Sequence, residues 1–81
     1  MDLKLYKFDS CPYCQKVYRE IEAQGRTDIE YRDILENEQY YHELMNVAGV
    51  DQVPCLFIDG KPLYESDDIV KWLKEHPQNK A

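Results

Sequence analysis

Basic residues are scarce in this chain: ten Lys and Arg stand against sixteen Asp and Glu, leaving a formal charge of −6. That balance argues against a phosphate-backbone partner, because nucleic-acid binding draws on a surplus of cations. No apolar run approaches the roughly 18 residues that a membrane span needs, and Met1-Asp2-Leu3-Lys4 lacks the basic and then apolar run of a secretory signal. The expected compartment is therefore cytoplasmic, with neither nucleic acid nor membrane among the partners. Cysteine is also in short supply. Three thiols are an odd count, and a single C-x-x-C loop closes too little chain to staple a fold. A zinc site fails on ligands, since it needs four N or S donors, there is no second C-x-x-C, and Cys55, His42 and His76 are scattered without ligand spacing; no metal is expected. Repeats, linkers and low-complexity tracts are absent too. Residues 1–81 read as one domain, near the lower limit at which a single core suffices, and 43% hydrophobic with 32% charged residues describes a globular chain.

What is present concentrates in Cys11-Pro12-Tyr13-Cys14, which follows the alternating segment Leu3-Lys4-Leu5-Tyr6-Lys7-Phe8 and opens a helical pattern. A C-x-x-C between a strand and a helix puts its first thiol at the helix N-terminus, where unpaired backbone N–H groups and the positive dipole end stabilise a thiolate. Pro12 suits the first helical position, where a missing N–H costs nothing, so Cys11 is the N-cap and Cys14 the N3 residue. The Cys11 sulfur is then expected to accept from the amides of Tyr13 or Cys14. Cys14 lies one turn inward and can close a small disulfide ring. In a reducing compartment such a pair reads as catalytic, one thiol attacking and the other resolving.

The helix after the motif carries Cys14, Val17, Tyr18 and Ile21 on one face and should run from about Pro12 to Gln24, with Gly25 beyond its end. Ile29-Glu30-Tyr31-Arg32-Asp33-Ile34 alternates like a half-buried strand, which completes a βαβ unit with a parallel pair. Asn37 caps a second helix whose stripe is Tyr41, Leu44, Met45 and Ala48, closed by Gly49. Val53-Pro54-Cys55-Leu56-Phe57-Ile58 suits a buried strand, Asp59-Gly60 a two-residue hairpin, and Lys61-Pro62-Leu63-Tyr64 a return strand held at a sheet edge by Pro62. Ser66 is a good N-cap for a last helix, with Asp67 and Asp68 at its positive end and Ile69, Val70, Trp72 and Leu73 on its buried side. Pro77 ends it, and Gln78-Asn79-Lys80-Ala81 reads as a frayed tail.

Taken together, Cys-Pro-Tyr-Cys at 11–14, Val53-Pro54 about forty residues later, the apolar strand, the hairpin and the Asp67-Asp68 helix start resemble the glutaredoxin family over nearly the whole chain. The resemblance implies an α/β thioredoxin-like fold, βαβαββα, with a four-stranded mixed sheet flanked by helices. It implies a cis Val53-Pro54 bond facing the cysteines, where residues alone favour trans, and a substrate backbone pairing with Val53. It further implies that glutathione binds with its γ-glutamyl end at Ser66 and Asp67, although a plain helix cap explains those two residues equally well. Three positions depart from the family pattern: Phe8 stands where many members have Lys three residues before the first cysteine, Gln52 where Thr is usual, and Tyr64-Glu65 where Gly-Gly is usual. Tyr64-Glu65-Ser66 instead resembles the N-terminal domain of glutathione transferases, where a Glu-Ser pair binds the same γ-glutamyl end.

The sequence thus points to a monomeric thiol–disulfide oxidoreductase without a permanently bound cofactor, using glutathione as reducing co-substrate and disulfide-containing proteins as substrates. Cys11 and Cys14 are the catalytic pair; Tyr13, Val53, Pro54, Ser66 and Asp67 are the candidate binding residues, with Gln52 and Glu65 beside them. Lys7 and Arg32 are candidate cations for the glycine carboxylate of glutathione. Two alternatives stay open: reduction by a thioredoxin-reductase-type flavoprotein, and an iron–sulfur cluster held between two subunits by Cys11 and glutathione, against which Pro12 argues. Cys55 reads as a packed strand thiol, and His42 and His76 as surface residues.

Overall fold

A computed structural model describes residues 2–78. Its elements run β1 (Leu3–Lys7), α1 (Pro12–Gln24), β2 (Ile29–Asp33), α2 (Glu38–Ala48), β3 (Cys55–Ile58), β4 (Lys61–Leu63) and α3 (Ser66–Glu75), in the order expected from the sequence. The sheet order is β2-β1-β3-β4. β1 pairs parallel with β2 and antiparallel with β3, and β3 pairs antiparallel with β4. The edge position of β4 accords with Pro62, which has no N–H to give to a further strand.

Alternation along β1 and β3 gives the sheet two apolar faces. On one, Leu3, Leu5 and Leu56 meet Val17 and Ile21 of α1 and Ile69 and Leu73 of α3. On the other, Tyr6, Cys55 and Phe57 meet Ile34, just after β2, and Leu44 of α2. Each fully buried leucine there contributes about 1.5–3 kcal/mol by leaving water. The α2 stripe is shallower than its spacing suggests: Leu44 is fully buried, but Tyr41, Met45 and Ala48 are half-buried. Tyr40, Tyr41 and Ala48 pack against the cluster in which the Tyr6 and Phe57 rings lie 4.4 Å apart.

Local signals set most boundaries. Gly25 takes the left-handed backbone at φ 63°, and the turn it makes lets Arg26 N–H reach the Ile21 carbonyl, 3.1 Å away. Asp59 and Gly60 both have positive φ, as a two-residue hairpin of this type requires. The Asn37 side chain accepts from the Gln39 amide at 3.0 Å. Three expectations change. β3 begins at Cys55, because Val53 and Pro54 turn into the strand rather than pair in it. Tyr64 leaves β4 and donates its hydroxyl to the Ala48 carbonyl, 3.1 Å away, tying the end of α2 to the sheet edge. Gln78 is not frayed: its side chain exchanges hydrogen bonds with Thr27 at 2.7 and 3.0 Å. The rest of the expected tail, 79–81, lies outside the described residues.

Arg26 locks the far end of the molecule. Its side chain is 2% exposed and pairs with Asp28, while Nη1 donates to the carbonyls of Leu73 at 3.2 Å and His76 at 2.8 Å. One guanidinium thereby satisfies carbonyls left open at the C-terminus of α3 and lies at its negative dipole end. Arg26→Met should cost about 2–3 kcal/mol in urea unfolding, because it strands two carbonyls and a carboxylate. The Asp28 carboxyl is held below its ordinary range by the hydrogen bond from Arg26. Its share of the loss should be present above the unfolded Asp value of about 3.9 and fade as pH falls through the lowered folded value. A stability gap between wild type and variant that grows on acidification would contradict this.

Candidate functional site

The strand pairing brings three chain segments to one end of the sheet. β1 ends there before Cys11, antiparallel β3 begins there after Val53-Pro54, with Tyr6 opposite Cys55, and β4 returns there to start α3. Cys11 is the N-cap of α1, extended at φ −80° and ψ 117°, with Pro12 at the first helical position. Its carbonyl accepts the first helical bond from Gln15 at 3.2 Å, and its amide donates to Phe8 at 3.2 Å. Its sulfur makes no capping bond to the helix amides, contrary to expectation. Instead the thiol faces across the site and donates to the Val53 carbonyl, 3.9 Å away. The Val53-Pro54 bond is cis.

Cys11, Cys14 and Cys55 are all free thiols, and their surroundings separate them. Cys11 keeps 5% of its surface open, whereas Cys14 and Cys55 are fully buried. Burial pushes the Cys14 thiol up to about 12, against the pull of the Phe8 amide and the Lys7 ammonium toward the thiolate. Burial likewise pushes Cys55 up to about 12. Cys55 faces the α2 side of the sheet within its apolar cluster.

Beside Cys11 lies a cleft of about 360 Å³ lined by Tyr13, Gln52, Val53, Pro54, Glu65, Ser66 and Asp67. All seven were singled out by the sequence. Ser66 is the first residue of α3 rather than its cap; the cap position is Glu65, whose φ of 67° turns the chain sharply and leaves it without a side-chain capping bond. The Glu65 carboxylate accepts from Gln52 Nε2 at 2.9 Å instead. Asp67 forms an ion pair with Lys16 from the second turn of α1. Neither contact was legible in the sequence, because each joins residues brought together only by the sheet.

Lys7 and Arg32 lie elsewhere. Lys7 lines a separate hollow with Tyr18, Glu22 and Tyr31 and pairs with Asp9 at 2.8 Å and Asp33 at 3.4 Å. Burial works against its charge, yet those carboxylates hold its pKa above the ordinary value. Arg32 is committed to Glu30 and Glu43 and to the Tyr6 hydroxyl. Among the described residues lining the cleft there is no Lys, Arg or His. Among the described residues, no cluster of three or more His, Cys, Asp or Glu side chains could hold a metal, and no helix is long and apolar enough to cross a membrane.

The family model of glutaredoxin matches residues 3–63. The chain belongs to the glutaredoxin family. That membership supports thiol oxidoreductase chemistry, and it covers the Cys11–Cys14 motif, Val53-Pro54 and all four strands. Among solved structures the chain is similar to glutathione S-transferase unclassified 2 from Bombyx mori, with 22% identity and a TM-score of 0.81 over 99% of this chain and 38% of that one. It is also similar to the glutaredoxin from Brucella melitensis, with 21% identity and a TM-score of 0.66 over 94% and 82%. The holo form of glutaredoxin C1 from Populus tremula x tremuloides gives 20% and 0.70 over 94% and 77%. These likenesses establish the thioredoxin-like fold. The chain spans less than two fifths of the silkworm transferase and most of both glutaredoxins. No curated protein sequence matches it.

In this glutaredoxin-family chain the burial difference between thiols has a direct readout. Under brief treatment with iodoacetamide at mildly alkaline pH, Cys11 should be alkylated about ten-fold or more ahead of Cys14 and Cys55, as resolved by peptide mass mapping. Modification of Cys14 first would contradict the placement of the accessible thiol.

Proposed function

We propose that this protein is a glutathione-dependent thiol–disulfide oxidoreductase of the cytoplasm that acts as a monomer on protein disulfides and glutathione mixed disulfides. The observation that carries this reading is the Cys11 sulfur 3.9 Å from the carbonyl of Val53, a residue that lines a cleft of about 360 Å³. The Cys11 thiolate attacks one sulfur of a substrate disulfide, forming a mixed disulfide and releasing the other sulfur as a thiolate. That leaving thiolate takes up the proton that Cys14 gives up. Formation of the mixed disulfide also removes the Cys11 charge, one of the effects that hold the Cys14 proton in place. The Cys14 thiolate then attacks the Cys11 sulfur, closing a Cys11–Cys14 disulfide and releasing the second substrate thiolate. Two electrons have passed to the substrate. Two glutathione molecules return them, the first forming a mixed disulfide on Cys11 and the second leaving with it as oxidised glutathione.

Glutathione would enter with its γ-glutamyl carboxylate at the amides opening α3, where Ser66 is buried at the first position and the dipole favours an anion. Its amino group would face Asp67, and its backbone would pair with Val53. Tyr13, 65% exposed, would cover the thiol from the solvent side. A second reading, reduction by a thioredoxin-reductase-type flavoprotein, is favoured by one observation: Lys7 and Arg32 are both engaged by carboxylates away from the cleft.

Cys11→Ser should abolish reduction of every disulfide, because no attacking sulfur remains. Cys14→Ser should retain reduction of glutathione mixed disulfides, which a second glutathione can resolve, and lose about ten- to hundred-fold on intramolecular protein disulfides, which need a nearby thiol for release. Cys55→Ser should keep both activities. The assay couples glutathione oxidation to glutathione reductase and is repeated with a thioredoxin reductase. Turnover with the flavoprotein alone would reject glutathione as the reductant, and retained activity in Cys11→Ser would reject the mechanism.

A further inference from the structure

The cleft beside Cys11 continues into a second groove. Gln52 and Glu65 line both, and the groove of about 500 Å³ beyond them is walled by Val50, Pro62, Leu63 and Tyr64, with Asp68 at its rim. Its inner wall is strongly apolar. Val50 keeps 45% of its surface exposed, an apolar side chain open to water near the start of the loop that follows α2. A tripeptide thiol fills about the first cavity alone; the second adds room for residues farther along a chain. Pro62 takes a donor out of the outer edge of β4, which disfavours the addition of another strand and leaves side-chain insertion as the way to use this groove.

The charge of the combined surface has one sign. Glu65, Asp67 and Asp68 line the two cavities together, and no Lys, Arg or His does so among the described residues. The cation nearest in contact, Lys16, reaches only Asp67. Glu65 has a single neutral partner, Gln52, so its charge is available to a ligand.

Resting on the reading of Cys11 as the attacking thiol, we propose that the disulfide this protein takes from a partner lies on a segment with a basic residue beside the cysteine, facing Glu65 and Asp67, and an apolar residue farther on, seated against Val50 and Leu63. The occupant is an extended, cationic and partly apolar segment of a disulfide-bearing protein. Continuity of the groove with the cleft at Cys11 sets its direction, and charge complementarity sets its sign. Acidic segments are repelled by the same groups, so the surface selects as well as binds.

The test uses the Cys14→Ser chain without added glutathione, so that no neighbouring thiol displaces a partner trapped on Cys11. Octapeptides, each bearing one cysteine as its mixed disulfide with 2-mercaptoethanol, carry Arg next to the cysteine and Leu three residues on, or Glu and Gly at the same places. Trapping on Cys11 is followed by mass spectrometry, with neutral bis(2-hydroxyethyl) disulfide as reference. The Arg/Leu peptide should be trapped about ten-fold or more faster than the Glu/Gly peptide at low salt, with the ratio shrinking as salt screens the charges. Glu65→Gln should reduce the ratio several-fold, and Val50→Ser should reduce the advantage of Leu over Gly in peptides that both carry Arg. Equal trapping of the two peptides, or faster trapping of the acidic one, while the neutral disulfide still reacts would overturn this proposal alone. No reaction of the neutral disulfide at Cys11 would overturn the underlying function and the proposal with it.

Discussion

The antiparallel pairing of β3 with β1 is the contact on which the site depends. Because β3 runs opposite to β1, with Leu5 against Leu56 and Tyr6 against Cys55, the segment entering β3 meets the segment leaving β1. That single geometric fact sets Val53 across from Cys11. β4 then reverses again and delivers α3 to the same end, so a thiol, a cis-proline turn and a helix N-terminus share one cleft although up to 56 residues separate them in the chain, from Cys11 to Asp67. The register is enforced by burial on both sheet faces, where a slip of one residue would exchange the leucines of one core for the aromatics of the other.

Within that frame the two thiols of the motif are differentiated by depth. Cys11 lies at the helix start, partly reachable, its carbonyl already committed to α1; Cys14 lies one turn in, fully buried, with the Phe8 amide and the Lys7 charge favouring its thiolate and burial opposing it. Burial prevails and raises the Cys14 thiol well above an ordinary cysteine. The difference in depth between the two thiols therefore follows from where α1 begins. Lys7 contributes from beneath the motif, through its charge, rather than from the cleft.

Much of this was written in local sequence. Pro12 fixed the start of α1, Gly25 its end, Asn37 the start of α2 and Asp59-Gly60 the hairpin, each through backbone chemistry confined to a few residues. Tyr13, Val53, Pro54, Ser66 and Asp67, which the resemblance singled out, line one cleft together with Gln52 and Glu65, which stood as departures from its pattern. Legibility failed where the deciding contact was distant. Ser66 had the composition of a cap, but the turn is made one residue earlier by Glu65 at positive φ, a conformation no composition rule assigns to glutamate. Arg26 had no periodic or motif signal, yet it reaches the carbonyls of Leu73 and His76, which only the packing of α1 against α3 brings near. Lys7 and Arg32 were candidate ligands as cations; the acids that claim them, Asp33 across the sheet and Glu43 from α2, became visible only with the fold.

The central claim is that Cys11 and Cys14 form one two-electron couple in which Cys55 takes no part. The most direct measurement equilibrates the full chain in glutathione redox buffers of graded ratio, quenches with acid, alkylates, and counts free thiols at each cysteine by mass spectrometry. The account predicts a single two-electron transition, in which Cys11 and Cys14 lose their thiols together within one chain and Cys55 remains free throughout. A Cys55-containing disulfide, a disulfide linking two chains, or separate one-thiol transitions at Cys11 and Cys14 would contradict it.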